Sequence, residues 1–271
     1  MQSFKCKKLL IVLILIIIAM IVFICNFLIS GKKEYYISEK TLQIPIYTYH
    51  QIVENPSEVE TDYMQTTYSN FVKQINGLRK LGYTPITYQD LLDYKNGIKA
   101  IKKRSCIITF DDGYTSVYDY IYPFIKENNI PITLFVVNNL VGADGYMTWE
   151  QIKEMHNSKL VAVYSHGLNH SEYDKLGPEI LLAETEEAYE NLKQNLDDNS
   201  LLKIFAYPCG FYTDEEIDLM KNHGYIQNLM DGKINKSNTL DLNRLHRVYP
   251  LNDSVLKILV KQIYKASKYS I

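Results

Sequence analysis

Between residues 44 and 249 the chain alternates short, unbroken apolar runs with stretches whose apolar residues recur every three or four positions. That alternation narrows the possible folds more than any other feature. The runs at 44–50, 105–110, 130–137, 160–164 and 202–207 are apolar almost throughout rather than at every second residue, the pattern of strands buried on both faces of a parallel sheet. Between them, 69–81, 88–94, 116–126, 148–155, 178–196 and 213–222 place their apolar residues on one helical face; Phe71, Ile75, Leu78 and Leu81 form one such stripe. Ser69, Thr87, Thr148 and Thr213 stand where helices should begin, Gln151 and Glu216 complete capping boxes, and Gly82 and Gly224 mark ends. Residues 225–230 and 245–249 read as late strands, 254–265 as a closing amphipathic helix, and 55–66 as a polar surface loop. The pattern predicts an α/β domain, either a barrel or a doubly wound sheet.

In such folds chemistry sits where strands leave the sheet at their carboxyl ends. Ile107, Ile108 and Phe110 run directly into Asp111, Asp112 and Gly113. Adjacent carboxylates in a partly buried site ionise together only if a cation shares them, so one could be a metal ligand and the other a free base. Asp-Asp-Gly alone is also a common solvated turn. Other strand ends in the same chain single it out. The run at 160–164 ends in Ser165-His166-Gly167-Leu168-Asn169-His170, and two histidines four apart can point at one centre. The run at 202–207 closes with Pro208-Cys209-Gly210, and the first run ends in Tyr49-His50, which makes His50 a candidate site-lining residue. One Asp with two His is a three-ligand set that leaves a coordination position open, as catalytic rather than structural zinc sites do.

Residues 9–29 are almost continuously apolar, interrupted only by Cys25 and Asn26, and are long enough to span a bilayer as a helix. Lys5, Lys7 and Lys8 precede this run, and no small-residue cleavage site comes cleanly after it, which favours an uncleaved anchor with an exported body. The resulting division is a cytoplasmic N-terminus and transmembrane anchor at 1–33, a stem at 34–43 and one catalytic domain at 44–271. Residues 1–33 hold five Lys and no acid, so the remainder carries 24 basic against 31 acidic residues, a net charge of −7 that argues against a nucleic-acid partner. Cys6, Cys25, Cys106 and Cys209 form neither a disulfide framework nor a zinc-finger spacing.

With these segments in place, residues 44–250 resemble the polysaccharide deacetylases of the NodB-homology class, carbohydrate esterase family four. Thr109-Phe110-Asp111-Asp112-Gly113 matches the first motif of that family in full, and the segment from Ser165 to His170 matches the second in both histidines, with Gly167 where Ser or Thr is usual. In the third, Phe205-Ala206-Tyr207-Pro208-Cys209-Gly210 carries Ala206 in place of the Arg that orients the base. This form, together with Tyr49-His50-Gln51-Ile52, is similar to the branch acting on poly-β-1,6-N-acetylglucosamine, in which an Arg segment such as Arg247-Val248-Tyr249 occupies the late strand region. Asp231 is the nearest candidate for the fourth motif, and Leu245-His246 resembles the fifth.

The resemblance implies a distorted (β/α) barrel behind one transmembrane helix. Asp112, His166 and His170 would hold a divalent metal, Zn²⁺ foremost with Co²⁺ or Ni²⁺ as alternatives. It further implies Asp111 as general base, His246 as general acid, and His50, Tyr207, Pro208 and Cys209 against the substrate. The implied activity is removal of acetyl groups from N-acetylglucosamine units of an extracellular biofilm polysaccharide by an enzyme held at the cell membrane. Peptidoglycan deacetylation is the alternative within the class, and a tethered non-catalytic carbohydrate-binding protein the alternative outside it.

Overall fold

The computed structural model describes residues 16–18, 20–22, 41–55 and 64–268. The expected anchor and stem fall almost wholly outside these. Residues 16–18 and 20–22 are helical with exposed side chains, and among the described residues no helix is long and apolar enough to cross a membrane.

The domain begins with four short strands, β1 (Gln43–Ile44), β2 (Ile46–Tyr49), β3 (Gln51–Val53) and β4 (Gln65–Thr67), followed by α1 (Tyr68–Lys80). Then come β5 (Thr84–Pro85), α2 (Tyr88–Lys95), β6 (Ser105–Phe110), α3 (Tyr122–Asn128), β7 (Ile132–Val136), α4 (Trp149–Asn157) and β8 (Val161–Ser165). The remainder is α5 (Pro178–Leu196), β9 (Ile204–Ala206), α6 (Asp214–Asn222), β10 (Ile226–Leu229), β11 (Asn235–Lys236), β12 (Leu245–Val248) and α7 (Val255–Lys268).

Of the two architectures left open by the pattern, the structure takes the barrel. Seven strands pair in parallel in the order β2-β12-β10-β9-β8-β7-β6, and β6 returns to β2 through Ile107–Phe110. Closure removes the exposed edges that an open sheet would carry. The short β5 pairs with Ser105 and Cys106, just ahead of the β2 seam, and β1 lies antiparallel to β11 outside the ring. Distortion is concentrated between β8 and β9, which share a single paired position, Ser165 with Phe205.

Capping boxes start α2, α4 and α6 at Thr87, Thr148 and Thr213. Helix α1 starts earlier than expected. Thr67 at the end of β4, rather than Ser69, caps it by accepting from the Asn70 N–H, and the polar stretch before it ends in a strand that carries no apolar signature. Helix α3 is preceded by a wide turn at Val117–Ile121. Tyr49, Phe71 and Phe110 pack together at the heart of the core with ring centroids 5.0–5.5 Å apart. Cys106 is buried beside them in β6, and burial pushes its thiol up to about 12, so it is chemically quiet.

Candidate active site

The carboxyl ends of six barrel strands, including β10 through Met230, converge on one cavity of about 210 Å³. His50 arrives after β2, Asp111 and Asp112 after β6, His166 and His170 after β8, Tyr207 and Cys209 after β9, and Arg247 and Tyr249 from β12. Pro208 is buried in the turn that carries Cys209 and does not line the cavity.

Asp112 Oδ1 lies 3.4 Å from His166 Nε2 and 3.3 Å from His170 Nε2. The donor atoms of the three residues all fall within 4.8 Å of one another. Asp112 Oδ1 is buried and has no hydrogen-bond partner, which leaves an acceptor aimed at the point the two rings share. His166 donates from Nδ1 to the Ala206 carbonyl at 2.8 Å, a bond that fixes the tautomer with the Nε2 lone pair facing Asp112. Burial pushes the His166 imidazole down to about 4, so it is neutral at pH 7, as a ligand must be. Burial alone would raise the Asp112 carboxyl, but the His170 and His166 imidazoles beside it hold it well below the usual carboxylate range. The set fits a divalent cation with oxygen and imidazole ligands. Asp112, His170 and Cys209 all have left-handed backbone, with φ of 69°, 57° and 57°. Such strain in three residues of one site is local energy stored where geometry is over-determined.

Asp111 is held differently. Arg247 donates to its Oδ1 at 2.7 Å, with both side chains almost fully buried. The guanidinium also sits over the Phe135 ring at 5.2 Å. Asp111 Oδ2 is left facing His50 Nε2 and His166 Nε2, each at 3.7 Å. The cation absent at Ala206 on β9 is thus supplied from β12, across the barrel seam. His50 packs its ring on Tyr249, centroids 5.6 Å apart.

The expectation for His246 is corrected here. It precedes Arg247 on β12, so strand alternation turns it to the opposite face. Its Nδ1 lies 2.8 Å from Asp231 Oδ2, and it lines a separate depression with Lys233, Lys236 and Lys265. From there it does not reach the cavity. Arg247, Tyr249, Met64 and Tyr114 line the cavity without having been assigned a role from sequence. An arginine inside a short, mostly buried strand was the available signal for the first.

The Gly167 departure also has a physical reason. A Cβ there would lie 2.5 Å from the Tyr173 hydroxyl, so that oxygen fills the space of a side chain, and Gly167 has φ of 84° besides. Glu184 of α5 then gathers the loop, accepting from Asn169 Nδ2 at 3.0 Å, Ser171 Oγ at 3.2 Å and Tyr173 Oη at 2.8 Å. Asn169 and Ser171 flank His170. Glu184→Gln keeps the shape but loses the charge and one acceptor; Zn²⁺ affinity measured by titration calorimetry should fall roughly 10-fold or more while circular dichroism is unchanged.

A closed parallel barrel with a His-His-Asp cluster and a separately held carboxylate at one rim is the scaffold of a hydrolase. Residues 99–227 match the family model of the polysaccharide deacetylase domain. The poly-β-1,6-N-acetyl-D-glucosamine N-deacetylase of Staphylococcus aureus is 26% identical over 181 residues, 62% of this chain and 61% of that enzyme. Among solved structures, the deacetylase PplD of Streptococcus pyogenes, determined with acetate, superposes with a TM-score of 0.73 at 23% identity, covering 82% of this chain and 99% of that one. IcaB from Ammonifex degensii gives 0.69 at 25% identity, covering 81% and 96%.

Proposed function

We propose that this polysaccharide deacetylase is a metal-dependent enzyme that removes acetyl groups from N-acetylglucosamine units of extracellular poly-β-1,6-N-acetylglucosamine, held at the cell membrane by residues 9–29. The observation that carries the reading is the division of labour at the strand ends: Asp112, His166 and His170 face one another as a ligand set, while Asp111 is tied to Arg247 by one oxygen and keeps the other free. A pure binding module has no use for that second carboxylate. The named activity of the Staphylococcus aureus relative supports the choice of polymer.

Bound by Asp112, His166 and His170, a divalent ion, Zn²⁺ foremost, supplies Lewis-acid polarisation of the acetyl carbonyl and activation of water. Asp111 Oδ2 takes the proton of the attacking water, and Arg247 keeps that carboxylate oriented. His50, whose Nε2 lies 3.7 Å from Asp111 Oδ2 and whose ring is braced by Tyr249, donates to the leaving nitrogen. Tyr207 and the turn at Cys209 line the part of the cavity that would receive the acetyl group. The products are acetate and a glucosamine unit. His50→Ala should lower kcat by roughly 10²–10⁴ with Zn²⁺ still bound.

Acetate release from β-1,6-linked N-acetylglucosamine oligomers, chitin oligomers and peptidoglycan, with Zn²⁺ or chelator, tests the reading. Release from the first that needs metal and disappears in Asp112→Ala is the expected result. Preference for peptidoglycan would reassign the polymer, and no release from any substrate by the Zn²⁺-loaded protein would overturn the enzyme.

A further inference from the structure

Helix α7 is fastened to the barrel along one face. Ile258 joins the core, Gln262 accepts from the Tyr47 and Tyr83 hydroxyls at 3.2 and 3.3 Å, and Val255 packs where Gly77 of α1 has no side chain. A Cβ on Gly77 would come within 2.5 Å of Val255 Cγ2. The outer face carries Leu256, Val260, Ile263 and Tyr264, which are 72%, 56%, 55% and 63% exposed. Their spacing places them in one stripe along the helix. Single exposed apolar residues are ordinary on a protein surface, whereas four on one face of one helix form a patch that something covers.

The charged surroundings of the stripe narrow the choice of partner. Lys257, Lys261 and Lys265 border it, the first two sharing the single carboxylate of Asp253. Lys265 also lines the depression of about 220 Å³ that holds Lys233, Lys236 and Arg244. Charge is segregated along the chain: residues 231–271 hold eight Lys and Arg against three Asp, net +5, while residues 34–230 hold 16 against 28, net −12. A second copy docked on this stripe by two-fold symmetry would set lysines against lysines. An apolar stripe edged by lysines instead matches the headgroup and acyl boundary of a bilayer containing anionic lipid.

The path of the chain agrees. Gln43 of β1 pairs with Lys236 of β11, and the Leu42 N–H donates to Ser237 Oγ at 2.8 Å, so the polypeptide joins the barrel beside the basic depression that Lys236 and Lys265 share. About 13 residues separate this point from the apolar run ending at residue 29, a reach of at most roughly 45 Å. We infer that the outer face of α7 is a second, peripheral membrane contact that lays the catalytic domain against an anionic lipid surface. This rests on the anchor reading only in that the anchor brings the bilayer within reach.

The test uses the full chain reconstituted into phosphatidylcholine vesicles with or without phosphatidylglycerol. Tyr264→Trp adds an indole to the stripe, and the unsubstituted chain gives the Trp149 background. Bromine on the lipid acyl chains should quench the added indole about twofold or more in the anionic vesicles, consistent with burial at the acyl boundary. Adding Leu256→Ser, Val260→Ser and Ile263→Ser should abolish that quenching, and Lys257→Glu with Lys265→Glu should weaken it about tenfold in lipid titrations. These variants should keep their acetate release in detergent. Absence of quenching overturns the inference, as does a blue-shifted emission without quenching, which would mean that a second copy covers the stripe. High-pH carbonate extraction is run in parallel. Release of the chain by carbonate would refute the anchor, and bromine quenching before extraction would still support α7 as a lipid contact.

Discussion

Asp111→Asn should reduce deacetylation by roughly 10²–10⁴ in kcat while Zn²⁺ binds with nearly unchanged affinity. The side chain keeps its size, and its amide oxygen can still accept from Arg247, which in the native protein donates to Asp111 Oδ1 at 2.7 Å. What it loses is the basicity of the second oxygen, the atom 3.7 Å from both His50 and His166. The cluster of Asp112, His166 and His170 that could hold the ion does not include Asp111, so calorimetric Zn²⁺ titration should separate this variant cleanly from Asp112→Ala, which should lose metal and turnover together. Full activity in Asp111→Asn would remove Asp111 from the role of base. A cost in stability accompanies the kinetic one, because the buried Arg247 charge loses its counter-ion while its hydrogen bond persists.

The second large effect falls on Arg247, which holds the Asp111 carboxylate. Arg247→Leu should lower stability by about 3–5 kcal/mol, the cost of leaving a buried carboxylate without its partner, and lower Tm by roughly 10 °C for a domain of this size. Turnover should fall by a further large factor in whatever fraction stays folded, since Asp111 is no longer held. Arg247 and Asp111 are each about 1% exposed, so solvent screening gives the orphaned charge little relief. Replacing both partners, Arg247→Leu with Asp111→Leu, should recover most of the lost stability and none of the activity, because no unpaired charge remains. Thermal unfolding of the single and double variants checks this directly. Equal melting temperatures for the native protein and Arg247→Leu would show that the pair contributes nothing to the fold.

The difference between Asp111 and Arg247 is also the difference between what sequence and structure each reveal. Asp111, Asp112, His166 and His170 were legible because each sits within a few residues of the strand that delivers it, and strand ends can be read from apolar run and turn residue alone. Gly167 was legible only as a departure. Its reason, the Tyr173 hydroxyl in the space a side chain would take, needs the loop folded back on itself. Arg247 reaches Asp111 across 136 residues of sequence, and no local pattern announces such a meeting. His246 was misplaced for a related reason. In a four-residue strand bounded by polar residues, hydrophobic alternation is too short to say which face turns inward, and one position of slip exchanges His246 for Arg247 at the cavity.

By itself, then, the sequence determined the alternating strands and helices, the strand ends that carry Asp111, Asp112, His166 and His170, and the amphipathic character of the last helix. These are local properties, set by side-chain polarity at a period of one strand or one helical turn. Only the tertiary structure decided that the sheet closes through β2 and β6, that Arg247 rather than a residue at position 206 holds Asp111, that His50 rather than His246 faces it, and which face of α7 is left outside. Each of these depends on register and closure between segments far apart in the chain, where the energy lies in burial and charge pairing that exists only once the barrel has formed.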